Sequence, residues 1–159
     1  MGDVIGITDN RMDHTIAVAR KCYDLARKEY GMSEENARKA FLMGFLHDVG
    51  YEFAIEAPAH PNVAADILTS FNNIEWDQMV FAIMTHDKPQ RFLGTTYQAI
   101  LNEADLTVNN KGEAVSMEER CEGIKVTYGH ESPQYYNAIK MVDKLKDFKT
   151  KKEADEAAD

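Results

Sequence analysis

A chain of 159 residues with 44% hydrophobic residues is long enough for one domain with its own core and too apolar for a disordered segment. Its net charge of −9, from 27 acidic against 18 basic residues, sets the surface against long nucleic acid and anionic membranes as partners. The same charge leaves room for a small anionic substrate, because a bound metal ion dominates the field inside a pocket.

The two cysteines, Cys22 and Cys121, stand in no CxxC or zinc-finger spacing, so reduced core thiols are expected rather than a disulfide. No apolar run approaches the roughly 20 residues of a membrane span. The first residues show no basic segment followed by an apolar one. These features lead us to expect a soluble, cytoplasmic protein.

Taken in chain order, the apolar residues recur at helical spacing and strand alternation is hard to find. The pattern predicts a first helix over about Asn10–Tyr30, with Val18, Cys22, Leu25 and Ala26 on one stripe and Gly31 as its stop. Ser33 caps a second, with Glu34 and Glu35 in its first turn, which carries Ala37, Phe41, Gly44 and Phe45 towards Val49-Gly50. A loop follows over 51–58. A third helix starts near Pro61 and ends near Phe71, and a fourth covers about Glu75–His86 and stops before Pro89. The fifth spans about Thr96–Val108, ahead of the loop residues Asn109-Asn110-Lys111-Gly112. A sixth runs from Ser116 to Tyr128, and a last one from Ser132-Pro133 towards Phe148. The sequence thus predicts an all-α fold: one domain over 1–148, a compact bundle of six or seven helices with at most a short hairpin. A charged, flexible tail is expected over 149–159.

Five histidines punctuate this pattern: His14, His47, His60, His86 and His130. His14 lies on the stripe of Val18, Cys22 and Leu25. His47 shares a face with Ala40, Met43 and Gly44 and is followed at once by Asp48. His86 stands in line with Met79, Ala82 and Ile83, and Asp105 follows Leu101 and Ala104. Four helices therefore turn a histidine or an aspartate inward. Separate hydrogen bonds would require several costly burials, whereas one metal centre accounts for all of them, since mixed imidazole and carboxylate ligation suits Fe, Mn, Ni, Co or Zn. His130, beside Gly129 in an interhelix turn, is expected at the surface, and Trp76 is expected to pack.

The order His14, then His47-Asp48, then Asp105 resembles the H…HD…D signature of the HD-domain metal-dependent phosphohydrolase superfamily. Three segments carry the likeness: RMDHTIAVA, with Arg11 three residues before His14; FLMGFLHDVGYE, an apolar helix ending in His-Asp; and AILNEADLTV around the last aspartate. Together they cover about residues 10–110. His60 in HPNVAADIL and His86 in AIMTHDKP resemble two further histidines of the dinuclear H…HD…H…H…D subset, which includes bacterial diadenosine tetraphosphate hydrolases. The sequence departs from that branch after both histidines, with Pro-Asn-Val-Ala after His60 and Asp-Lys-Pro after His86.

The resemblance implies two divalent transition-metal ions. His14, His47, Asp48 and Asp105 would complete one shell, Asp48 would bridge, and His60 and His86 would hold the second ion. It implies hydrolysis of a phosphate ester or phosphoanhydride, in a nucleotide or another small phosphorylated metabolite, by metal-activated water, with Asp48 and His47 central to catalysis. Lys88 and Arg91, directly after His86, are the first candidates for phosphate contacts, ahead of Lys111 and Arg120. Arg120 has an ion pair with a neighbouring Glu as its alternative. Arg11 would brace Asp48 or Asp105. The residues leave two other readings open: a non-catalytic metal-binding sensing or scaffolding module, and a di-iron oxygenase. A homodimer is left open as well.

Overall fold

The computed structural model describes residues 9–48 and 74–158. The predicted third helix, the loop over 51–58, His60 and the end of the second helix at Val49-Gly50 lie outside the described residues. Six α-helices are seen among those described: α1 (Asp9–Asp24), α2 (Glu34–Leu46), α3 (Ile74–Thr85), α4 (Thr96–Leu106), α5 (Met117–Tyr128) and α6 (Pro133–Ala158). No strand occurs among them, only one antiparallel bridge between Val108 and Ala114. The fold is all-α.

The cap at Ser33 is the one the sequence marks, and the structure adds two more. Ser33 Oγ accepts from Asn36 N–H at the start of α2. Full capping boxes open α4, with Thr95 and Gln98, and α5, with Ser116 and Glu119. The first helix extends as far as expected but changes pitch. Leu25–Glu29 form a π-helical turn, closed by a bond from Tyr30 N–H to Leu25 O, before Gly31 at φ +61° ends the segment.

Helix α4 is central, packing against α1, α2, α3, α5 and α6. Its face with Ile100, Leu101 and Ala104 joins a core built with Val18, Cys22, Met43, Met79 and Ile83. Its other face, with Ala99 and Leu106, joins Cys121, Met141, Val142 and Leu145 of α5 and α6. Both cysteines are free and buried, as the sequence suggests. Phe41 of α2, by contrast, is exposed.

Helix α6 does not stop at Phe148, where the sequence pattern places its end; it stays helical to Ala158 rather than turning into an unstructured tail. The extension is anchored sideways. Lys149 Nζ reaches Glu103 Oε1 of α4 at 2.5 Å and Glu29 Oε1 at 3.5 Å, and Lys152 Nζ donates to the Glu29 carbonyl at 3.3 Å. Burial disfavours the charged Lys149, yet the two carboxylates outweigh it and raise its pKa above the ordinary lysine value. No helix among the described residues is long and apolar enough to cross a membrane.

Candidate metal centre

His14 occupies the second turn of α1, and His47 and His86 follow the last residues of α2 and α3. Asp48 comes directly after His47, and Asp105 lies in the last turn of α4. The three imidazoles are buried against one another, with His14 and His47 ring centroids 5.7 Å apart and those of His47 and His86 5.2 Å apart. His14, His47 and Asp48 offer ligand atoms that all lie within 4.8 Å of one another.

The orientation of each ring is determined by its Nδ1. His47 Nδ1 donates to Gly44 O at 2.6 Å, His86 Nδ1 to Ile83 O at 2.6 Å, and His14 Nδ1 to Asn109 O at 3.0 Å. A carbonyl can only accept, so the Nδ1 proton is assigned by its partner in all three rings. Every Nε2 then faces carboxylate oxygen. His14 Nε2 is 3.0 Å from Asp105 Oδ1 and 3.7 Å from Asp48 Oδ2. His47 Nε2 is 3.2 Å from Asp48 Oδ2 and 3.4 Å from Asp105 Oδ1, and His86 Nε2 is 3.8 Å from Asp48 Oδ1. His47 Nε2, fully buried, approaches its two carboxylates without hydrogen-bond alignment.

Lone pairs facing carboxylates repel unless a positive charge lies between them, supplied by a proton or a metal ion. The protonation equilibria express the same demand. Burial works against a charged His47, but Asp48 and Asp105 outweigh it and hold the ring well above the ordinary histidine value. Burial likewise works against an ionised Asp105, and His14 and His47 outweigh it and hold the carboxyl well below the ordinary range. The donor set of imidazole nitrogens and carboxylate oxygens fits a divalent transition metal, and rings fixed through a second nitrogen are the usual support for such ligands.

The surrounding candidates fall into two groups. Arg11 does brace Asp48, with Nη1 donating to Oδ2 at 3.2 Å. Arg120 makes no ion pair with a neighbouring Glu among the described residues. Its Nε donates to the carbonyl of Asp105 at 3.3 Å and its Nη1 to Asn110 Oδ1 at 3.2 Å, because α5 passes the C-terminus of α4, where carbonyls lack helical partners. Lys88 sits in the turn after His86 with Nζ 3.4 Å from Asp87 Oδ1, and Arg91 is exposed on the short 3-10 turn Pro89–Arg91. Lys111 and His130 are exposed.

Two residues missed in the sequence organise the segment that carries His86. Gln98, fully buried, donates through Nε2 to Thr85 Oγ1 at 2.9 Å and to Arg91 O at 3.1 Å, and accepts at Oε1 from Leu93 N–H at 2.9 Å. Asn102 Oδ1 accepts from Asp87 N–H at 3.4 Å, where the chain passes through φ +65°. The readable signal was the spacing 98, 102, 105, which places polar residues on one face of an otherwise apolar helix.

Helices packed around a buried cluster of histidines and carboxylates define a protein built to hold a divalent cation. The sequence model of the HD domain matches residues 11–121, a stretch that contains His14, His47, Asp48, His86 and Asp105. The chain belongs to the HD domain family, whose members are in general metal-dependent phosphohydrolases. No curated protein and no solved structure matches it.

Proposed function

We propose that this protein hydrolyses a phosphate ester or phosphoanhydride in a nucleotide or other small phosphorylated metabolite. His14, His47, Asp48 and Asp105 hold one divalent ion, and His86, together with His60, holds a second. The observation that carries the reading is the orientation of three buried histidines, each giving Nδ1–H to a backbone carbonyl and turning Nε2 towards Asp48 or Asp105. When bound, the ions polarise a phosphoryl oxygen and bring the pKa of a water molecule to near neutrality.

The residues have distinct tasks. Asp48 divides its oxygens: Oδ2 faces His14 and His47, while Oδ1 faces His86. That division supports a bridging role. Arg11 holds Oδ2 from the side and restrains the carboxylate's rotation. Two divalent ions against two carboxylates leave the pocket net positive, which draws an anionic substrate despite the acidic surface. Lys88 and Arg91, on the segment after His86, meet the outer phosphate oxygens.

The test is a hydrolysis screen of nucleotides and simple phosphomonoesters, run on metal-stripped protein and after adding back Fe, Mn, Ni, Co or Zn. Metal-dependent turnover that disappears in Asp48→Ala is expected. Full metal occupancy without turnover on any substrate would favour a sensing module instead.

A further inference from the structure

All three histidines use Nδ1 on a backbone carbonyl, but they obtain that carbonyl differently. His47 and His86 follow helix C-termini, where the carbonyls of the last turn lack regular partners, so Gly44 O and Ile83 O, three residues back, are at hand. His14 stands inside α1, where the nearby carbonyls already serve the helix ladder. Its Nδ1 instead reaches Asn109 O, 95 residues along the chain.

We propose that the turn over 107–115 is a positioning device for His14, with Asn109 and Gly112 as its positioning residues; the inference rests on the metal-centre reading above. The turn is built to hold one carbonyl in place. Val115 N–H donates to Thr107 O at 2.9 Å, Asn109 N–H to Glu113 O at 2.9 Å, and Gly112 N–H to Asn109 O at 3.0 Å. Asn109 Oδ1 accepts from the N–H groups of both Lys111 and Glu113 at 2.9 Å. The Asn109 carbonyl thus has one lone pair for Gly112 and one for His14.

Gly112 seats this turn on α1. It has φ +81°, and a Cβ there would lie 2.6 Å from the carbonyl oxygen of Asp13, the residue before His14. Only glycine permits both the conformation and the approach. Arg120 ties the same turn to α4 by joining Asn110 Oδ1 to the Asp105 carbonyl. The ring of His14 and the backbone of Asp105 are therefore referenced to one another through the turn. A plain connection between α4 and α5 would need none of these contacts.

The test uses the full chain with Gly112→Ala, Asn109→Ala and Asn109→Asp. The first readout is the Nδ1 proton of His14 in nitrogen-15 and proton spectra of the metal-free protein. His47 and His86, whose carbonyls lie in their own helices, act as internal controls. The second is manganese affinity by competition with a chelator. Gly112→Ala and Asn109→Ala are expected to lose the protected His14 signal, to keep those of His47 and His86, and to bind manganese about 10–100-fold more weakly. Asn109→Asp, which keeps the accepting oxygen, recovers both once Glu113→Gln removes the carboxylate that Asn109 Nδ2 meets at 3.0 Å. If Gly112→Ala does not fold, Asn109→Ala decides. A retained His14 signal with affinity within twofold of wild type overturns the proposal. Wild-type protein that shows the signal but binds no metal refutes the metal centre and not the positioning role; metal binding without the signal does the reverse.

Discussion

Helices α1 and α2 approach closely at Gly44, and that contact can be made to report on the site. A Cβ at Gly44 would lie 2.8 Å from Ala19 Cα, 2.9 Å from Cys22 Sγ and 3.1 Å from Ala19 N. Carbon atoms in ordinary contact are about 3.5–4.0 Å apart, so Gly44→Ala forces the two helices apart by up to about 1 Å. Overpacking of this kind costs about 1–3 kcal/mol, and replacing a mid-helix glycine returns about 1 kcal/mol of helix propensity. A net loss of about 1 kcal/mol corresponds to about 2–4 °C in Tm for a chain of this size. Gly123 of α5 provides the opposite case, because a Cβ there meets nothing within 4 Å. Gly123→Ala is expected to raise Tm by about the same amount, since only propensity changes. Calorimetric melts of the metal-free variants compare the two. Because α1 carries His14 and the Gly44 carbonyl accepts from His47 Nδ1, Gly44→Ala is also expected to weaken metal binding, measured by chelator competition. A Gly44→Ala protein that melts as high as Gly123→Ala would refute the account of this packing.

Other consequences are equally open to measurement. Asp48→Ala is expected to lose metal and activity together while the helical circular dichroism signal survives; full occupancy in that variant would rule out Asp48 as a ligand. His60→Ala and His86→Ala are each expected to lower the metal content towards one ion per chain; elemental analysis that finds one ion per wild-type chain, unchanged in both variants, would reduce the centre to a single ion. In the metal-free protein, the raised His47 contributes stability below about pH 6.5 that is lost as pH climbs through its folded value. Asp105, lowered in the fold, contributes stability above about pH 3.9 that is lost as pH falls through its folded value. Urea midpoints in chelator should therefore peak between these limits; a midpoint that rises steadily above about pH 7 would contradict the His47 assignment, and one that does not fall below about pH 3.9 would contradict the Asp105 assignment.

Among the described residues, the sequence by itself was enough for the helices, apart from the end of α6, and for most of the candidate cluster. The periodicity that places His14 with Val18 and Cys22, and His86 with Met79 and Ile83, is a local property, and burial on one helical face follows from it directly. The caps at Ser33, Thr95 and Ser116 are local as well, decided by side chains bonding within a turn of themselves. Two features lay beyond that reach. The continuation of α6 to Ala158 depends on Lys149 meeting Glu103 and Glu29, partners in other helices, which no composition of the segment announces. The carbonyl that orients His14 comes from Asn109, 95 residues away, through a turn whose glycine fits against α1. A sequence encodes periodicity and caps along one helix at a time. Which backbone carbonyl meets which imidazole is decided when the helices pack, because that pairing depends on distances between segments that have no fixed relation until the core closes.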